Sequence, residues 1–283
     1  MNPKSIINLF SILVLLFSFS FIFPIVISIV FDDGALPIFL KTLISISLLG
    51  LTGLFLTRNI KNDLSQKDGF VIIVMFWVVL SLTGSVPFYL SGMSLIDSVF
   101  ESMSGITTTG ATVISSLDGL PESILFYRQL LQWMGGMGLI VLAIAVMPLL
   151  GIGGGQIYKT EVPGAMGEQR LTPRIKETAQ ALWLIYFGLT AVCGILYYLS
   201  GMTAFDAISH AMSTVAIGGF STHDESIGFF NSISIELICI CFMLLSAFSF
   251  ALHYLQYIRK NLSSMPLIQN LDSLSHFFLL PCL

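Results

Sequence analysis

"YLSGMSLIDSVFESMSGITTTGAT", Tyr89 to Thr112, and "YLSGMTAFDAISHAMSTVAIGGFS", Tyr198 to Ser221, are one segment written twice. Laid over each other at a constant offset of 109 residues without a gap, they share nine of 24 positions, and the duplication sets the reading of the fold. Each copy opens with a capping signature, Ser94-Leu-Ile-Asp97 or Thr203-Ala-Phe-Asp206. A hydroxyl accepting from the third backbone N–H, with the acid reaching back to the cap, starts a helix just after Gly92 or Gly201. The helix is expected to run to about Gly105 in the first copy and Thr214 in the second, about a dozen residues, too short to cross a membrane. Its carboxyl end carries the partial negative charge of the helix dipole and points at a stretch rich in Thr and Gly, an arrangement that favours a cation.

The surroundings of the two copies are apolar. The chain has 283 residues, 55 % of them hydrophobic and only 10 % charged, with a mean hydropathy of +0.90. Soluble domains carry roughly 25 % charged residues, so this chain cannot cover itself with a water-facing surface and reads as an all-α integral membrane protein solvated by lipid. A net charge of −4 and the absence of any block of like charge give no reason to expect nucleic acid or a polyacidic substrate. Cys193, Cys239, Cys241 and Cys282 lack CxxC spacing and suggest neither a disulfide framework nor zinc.

Six segments are long enough to cross a hydrocarbon core of about 30 Å: residues 6–30, 38–57, 70–90, 124–150, 179–199 and 233–258. The first is longer than the apolar core of a signal peptide and has no small-residue cleavage site, so it reads as a retained membrane helix. Ten of the twelve basic residues fall on one side: Lys4, Arg58, Lys61, Lys67, Lys159, Arg170, Arg174, Lys176, Arg259 and Lys260. The opposite loops hold acids only, among them Asp32, Asp33, Asp97, Glu101, Asp118, Glu122, Asp206, Asp224 and Glu225. Because cytoplasmic loops retain positive charge, both termini are expected in the cytoplasm, with the repeated segments in the two long outer loops. Each copy then lies between two membrane helices as a re-entrant or interfacial segment. Non-helical backbone at membrane depth is tolerated only where protein buries it or water lines it.

The Thr and Gly-rich stretches "TTTGATV" from Thr107 and "AIGGFST" from Ala216 have no ionisable side chain. Their ligands are backbone carbonyls and hydroxyls, the neutral oxygens that replace the water shell of a weakly hydrated monovalent cation. Gly110 and Gly219 are the aligned pair, and glycine accepts the positive φ that turns successive carbonyls toward one axis. The bland alternative for either stretch alone is an ordinary outer turn. Recurrence of cap, helix length and glycine in register favours a pore loop.

Three long strings, "SMSGITTTGATV", "QWMGGMGLIVLAIAVMPLLGIGGGQIYKTEVPG" and "AMSTVAIGGFSTHDESIGFFNS", resemble the bacterial Trk/Ktr potassium uptake family and its TrkH/TrkG-type membrane subunits. The resemblance covers nearly the whole chain. It implies two leading transmembrane helices followed by four helix, pore-loop, helix units around one potassium pathway, of which this chain holds the leading pair and two units, the amino-terminal half. Thr107, Thr108, Thr109, Gly110 and Ala111 would form one filter quarter, and Ala216, Ile217, Gly218, Gly219 and Phe220 another. The expected divisions are residues 1–66 for the leading helices and their cytoplasmic loop, 67–176 for the first unit with a cytoplasmic linker, 177–260 for the second, and 261–283 for a cytoplasmic or truncated tail.

Potassium would be the substrate, with no covalent cofactor and no metal beyond the filter ion. The expected setting is the cell inner membrane, and the resemblance implies a cytosolic nucleotide-binding Trk regulatory subunit as partner. No third or fourth pore loop follows His253, so the chain reads as a truncated product or fragment, or as a half that self-associates. A non-conducting remnant or scaffold is the competing reading. An intramembrane enzyme would need a nucleophile, metal cluster or acid/base pair at membrane depth, and none is apparent.

Other features take bland readings. "GIGGGQIYK" from Gly151 has Gln156 where GxGxxG needs glycine, has no Gly-Lys-Ser/Thr run and follows a membrane helix, so it reads as a flexible, cytoplasmic helix end. "WMGGMG", Trp133 to Gly138, reads as a helix-packing site. Arg128 is expected to snorkel or to pair with Glu101 or Glu122, and beside a filter it would repel cations. Asp224 and Glu225 read equally as a solvated loop or as cation-enriching charges. Glu236 is expected near the outer surface, and none of the four histidines has metal-ligand spacing.

Overall fold

Pro24 governs the entry of the chain. It lacks an N–H, and its ring clashes with the carbonyl four residues earlier, at Ser20. The first apolar segment is therefore not one straight helix. In the computed structural model, which describes residues 3–58, 66–138 and 175–247, α1 (Pro3–Ser18) passes through a 3-10 turn (Phe19–Phe21) into α2 (Ile22–Phe31). Together they remain long and apolar enough to cross a membrane, as are α3 (Leu36–Leu56) and the Leu182–Leu199 stretch of α8 (Ile175–Leu199).

The third apolar segment is also broken: α4 (Gln66–Gly84) stops before Ser85 and α5 (Val86–Leu90) restarts with proline in its first turn. Two short helices, α6 (Leu95–Ile106) and α9 (Ala204–Val215), follow the duplicated caps. Between them in the chain lies α7 (Glu122–Gly136), and α10 (Ile233–Ala247) follows α9 after a 3-10 turn (Ser226–Phe230). Secondary structure among the described residues is helical throughout. The later parts of the fourth and sixth apolar segments, the "GIGGGQIYK" stretch, and residues 261–283 lie outside the described residues.

Small residues bring helices together here. A Cβ on Gly53 of α3 would lie 2.0 Å from the Ser11 hydroxyl of α1, and Asn8 Nδ2 donates to Thr57 Oγ1 at 2.7 Å one end further along. Such contacts replace the hydrophobic driving force that lipid does not supply. The centre of the leading half is Tyr127 on α7, fully buried. Its ring lies 5.7, 5.6 and 5.4 Å from those of Phe21, Phe39 and Phe88, and its hydroxyl donates to the Gly84 carbonyl at 2.8 Å. One aromatic side chain thus joins the leading helices to the α4–α5 break and to α7. The outward faces carry exposed Leu16, Ile29, Val30, Phe55, Leu56, Leu184 and Leu199, an apolar exterior suited to lipid.

Candidate functional site

The duplicated segments fold as duplicates in their helix caps and in the backbone hydrogen bonds that close each helix. Ser94 and Thr203 cap α6 and α9 with φ/ψ of −61/155° and −62/158°. Their hydroxyls accept from the N–H groups of Asp97 and Asp206 at 3.2 and 3.1 Å, and donate to the same two carboxylates at 2.7 Å. The acids therefore bond the cap hydroxyl rather than the cap N–H. At the far ends, Thr108 N–H donates to Gly105 O and Thr109 N–H to Ser104 O, while Ile217 donates to Thr214 O and Gly218 to Ser213 O. This pair of crossing bonds is the Schellman closure, which usually places glycine at its left-handed position. Here that position holds Thr108 (φ 57°) and Ile217 (φ 54°), both β-branched, followed two residues later by Gly110 (φ 78°) and Gly219 (φ 84°). A β-branched residue at positive φ is an outlier, and strain of this kind persists only where the surroundings enforce it.

The two turns meet. A Cβ on Gly110 would sit 2.2 Å from the Gly218 carbonyl oxygen, so the first turn packs directly on the second. Thr107 spends its hydroxyl on the Met103 carbonyl (2.7 Å) and on Thr109 Oγ1 (2.8 Å), tying the turn rather than standing free. Ala216 and Phe220 are buried, whereas Thr109, Ala111, Ile217 and Gly219 are exposed. Phe220 packs beneath the Arg128 guanidinium, 4.2 Å from ring centroid to Cζ, so only its backbone is available to a ligand. Among the described residues, the backbone carbonyls of 107–111 and 216–220 accept no hydrogen bond except at Gly218. These are spare neutral oxygens gathered at the carboxyl ends of two helices.

Behind the turns stands a support that sequence reasoning only partly located. Arg128 is 1 % exposed and does not snorkel. Its Nε donates to Glu101 Oε1 at 2.8 Å, one terminal nitrogen donates to Thr112 Oγ1 at 3.1 Å and the other to the Ser221 carbonyl at 3.2 Å. Glu101 in turn accepts from the Thr112 hydroxyl and the Val113 N–H. The pair bridges both turns, and the carboxylate compensates the charge that would otherwise repel a cation.

Position 101 corresponds to 210 at the repeat offset, and His210 reaches Ser221 Oγ at 3.0 Å just as Glu101 reaches Thr112. The signal for His210 lay in the 109-residue register itself. Gln132 was not foreseen: its Nε2 donates to the Gly218 carbonyl at 2.7 Å, and its Oε1 accepts from Ser213 Oγ at 2.8 Å and from Phe220 N–H at 3.0 Å. "WMGGMG" packs as expected. A Cβ on Gly135 would lie 1.9 Å from the Ile106 carbonyl ending α6, and one on Gly136 would lie 3.3 Å from Ala216 Cα at the end of α9.

Carboxylates tie the loops between helices. Asp33 accepts from Ser28 Oγ, from Ala35 N–H at 3.0 Å, and from Ser123 N–H at 2.8 Å at the start of α7. It caps a helix whose own cap position, Pro121, has no side-chain donor or acceptor. Burial works to raise its pKa, but the hydrogen bonds from Ser123, Ser28 and Ala35 outweigh it and hold the carboxyl below its ordinary range. Asp224 accepts from Leu117 N–H at 2.7 Å, so it joins the loops that follow α6 and α9 instead of only facing solvent. Asp206 accepts from Thr222 Oγ1 at 2.7 Å and lies 3.2 Å from His223 Nε2, folding the second loop back onto the start of α9.

A family model described as the TrkH cation transport protein matches residues 35–282. The chain belongs to the TrkH family. It is 50 % identical over 266 residues to the Trk system potassium uptake protein TrkH of Halomonas elongata, covering 93 % of this chain and 55 % of that relative. With the Trk system potassium uptake protein TrkG of Escherichia coli it shares 43 % identity over 282 residues, 99 % of this chain and 57 % of the relative. The crystal structure of the potassium transporter TrkH from Vibrio parahaemolyticus superimposes with a TM-score of 0.79 at 47 % identity, over 92 % of this chain and 53 % of that one. The chain thus spans about half the length of the relatives it matches. These TrkH-family relatives are named as uptake and transport proteins, not as enzymes.

Proposed function

We propose that this chain contributes two quarters of a potassium-selective filter to uptake across the cell inner membrane, with both termini in the cytoplasm. The observation that carries the reading is the in-register duplication of one strained turn at 107–111 and 216–220, the two copies packed together with their carbonyls, Gly218 apart, free of hydrogen bonds among the described residues. Carbonyl oxygens at the negative end of a helix dipole offset the lost hydration of a potassium ion without a full charge to trap it. Backbone oxygens of Thr107, Thr108, Thr109, Gly110 and Ala111 serve the first quarter, and those of Ala216, Ile217, Gly218, Gly219 and Phe220 the second. In the second quarter, the Gly218 oxygen shares its lone pairs with Gln132.

The divisions at 1–66, 67–176, 177–260 and 261–283 then correspond to leading helices, two helix, pore-loop, helix units, and a tail. A cytosolic nucleotide-binding Trk subunit is the expected regulatory partner. The test is potassium-limited growth of a host lacking its own uptake systems, with the chain present at verified membrane levels. Growth rescue that disappears in Gly110→Ala supports the reading.

A second reading is favoured by the half-length match to the relatives: the chain is a half that conducts only with a complementary half, another copy included. Rescue that appears only on co-expression of the carboxyl-terminal half of a TrkH relative distinguishes it. Absence of rescue in both arrangements leaves a non-conducting scaffold.

A further inference from the structure

The two turns have the same backbone but different restraints. In the first, Thr107 and Thr109 tie the turn through their hydroxyls. At the matching positions the second turn has Ala216 and Gly218, with no hydroxyl to do this. Its restraint comes from outside, from Gln132 on α7. That carboxamide is fully buried and makes three bonds to the segment it faces: Ser213 on α9, Gly218 at the turn and Phe220 beyond it.

Its orientation is unique. Phe220 N–H can only donate and Gly218 O can only accept, so a flipped amide would break both bonds at once. Gly218 leaves no room for anything else: a Cβ there would lie 2.3 Å from Gln132 Cδ. The Gly218 peptide is therefore held between the Gln132 amide on one side and Gly110 on the other.

We propose that Gln132 is the positioning residue of the second turn. It fixes the Gly218–Phe220 backbone in the conformation an ion needs, and through it sets the preference for potassium over sodium. The proposal rests on the filter reading for its second half only. Discrimination between ions of similar charge depends on where, and how firmly, neutral oxygens are held, and Gln132 is the side chain that holds these.

The experiment uses the full chain in detergent, as the parent, Gln132→Met and Gln132→Glu. Two quantities are read: the unfolding midpoint in potassium, rubidium or sodium chloride at equal ionic strength, and hydrogen exchange of amides in 213–222. For the parent, potassium and rubidium are expected to stabilise more than sodium. Gln132→Met removes all three bonds, and exchange at Phe220 should quicken about tenfold, as expected for loss of one buried hydrogen bond. The potassium-over-sodium difference should vanish, with the midpoint lowered in both salts because buried groups of Ser213, Gly218 and Phe220 lose their partner. Gln132→Glu as a carboxylate, read at a pH that ionises it, keeps both acceptor contacts, so Phe220 should remain protected, yet it has no proton to donate to Gly218 and should also lose the ion difference.

Unchanged exchange in Gln132→Met overturns the positioning role. Quickened exchange with the ion difference intact overturns the selectivity role and leaves the filter reading standing. A parent with no potassium preference overturns the filter reading and the selectivity role together, while the exchange result still decides positioning.

Discussion

Gly110 and Gly219 have nearly the same φ, 78° and 84°, but different neighbours, and this separates two effects that glycine substitution usually mixes. Alanine at either position meets the left-handed penalty of about 1–2 kcal/mol. At 219 nothing else lies within 4 Å, whereas at 110 the new methyl would fall 2.2 Å from the Gly218 oxygen. Gly219→Ala is therefore expected to lower stability by about 1–2 kcal/mol and leave the contact between turns in place. Gly110→Ala should cost more and displace Gly218, so that potassium-dependent stabilisation is lost as well. Thermal unfolding of both variants with and without potassium checks the order; equal losses would show that the turns do not touch.

Ile217 offers the opposite sign. Relief of its positive φ by glycine gains about 1–2 kcal/mol, against about 0.5–1 kcal/mol of added chain entropy in the unfolded state. Ile217→Gly should be slightly more stable than the parent in denaturant titration, and any loss of ion response in it marks the strain as functional.

At the scale of elements, α7 is the post on which both repeats hang. It carries Tyr127, Arg128, Gln132, Gly135 and Gly136, facing in turn the leading helices, both turns, and the ends of α6 and α9. Removing one partner of the buried Arg128–Glu101 pair leaves the other charge uncompensated, a loss of about 3–5 kcal/mol. Glu101→Gln and Arg128→Met are each expected to be strongly destabilised, and the double variant much less so than their sum; additive losses in a double-mutant cycle would deny the coupling.

Helix α7 also marks where sequence reading stops. The caps, lengths and turn of α6 and α9 were legible because local rules set them and the repeat wrote them twice. The breaks at Phe19–Phe21 and Ser85 were less so, because hydropathy registers apolar length and takes no account of a proline's missing donor. Gln132 was invisible: a lone glutamine in an apolar helix has no spacing signature, and its three partners lie more than 80 residues away in the chain. His210 was legible in principle, since the offset carrying Gly110 to Gly219 carries Glu101 to His210 and Thr112 to Ser221.

At the scale of the whole molecule, Asp33 ties the leading helices to the start of α7, and this makes the assembly sensitive to acid. Asp33 sits in the loop between α2 and α3 and accepts from the first turn of α7, 90 residues away. A carboxylate there completes the helix start and meets the positive end of its dipole. The hydrogen bonds hold its pKa below the ordinary aspartate value, so the folded state binds this proton less readily than the unfolded chain does. Stability from Asp33 is therefore fully present above the ordinary aspartate value and is lost as pH falls through the lowered folded value. The parent's unfolding midpoint should fall between about pH 5 and pH 2, the range in which aspartates titrate. Asp33→Asn keeps the shape but not the charge, so it should be less stable than the parent at neutral pH, with the gap closing in acid as Asp33 becomes protonated. A gap that stays constant across that range would mean that the carboxylate charge does not hold α7 to the leading helices.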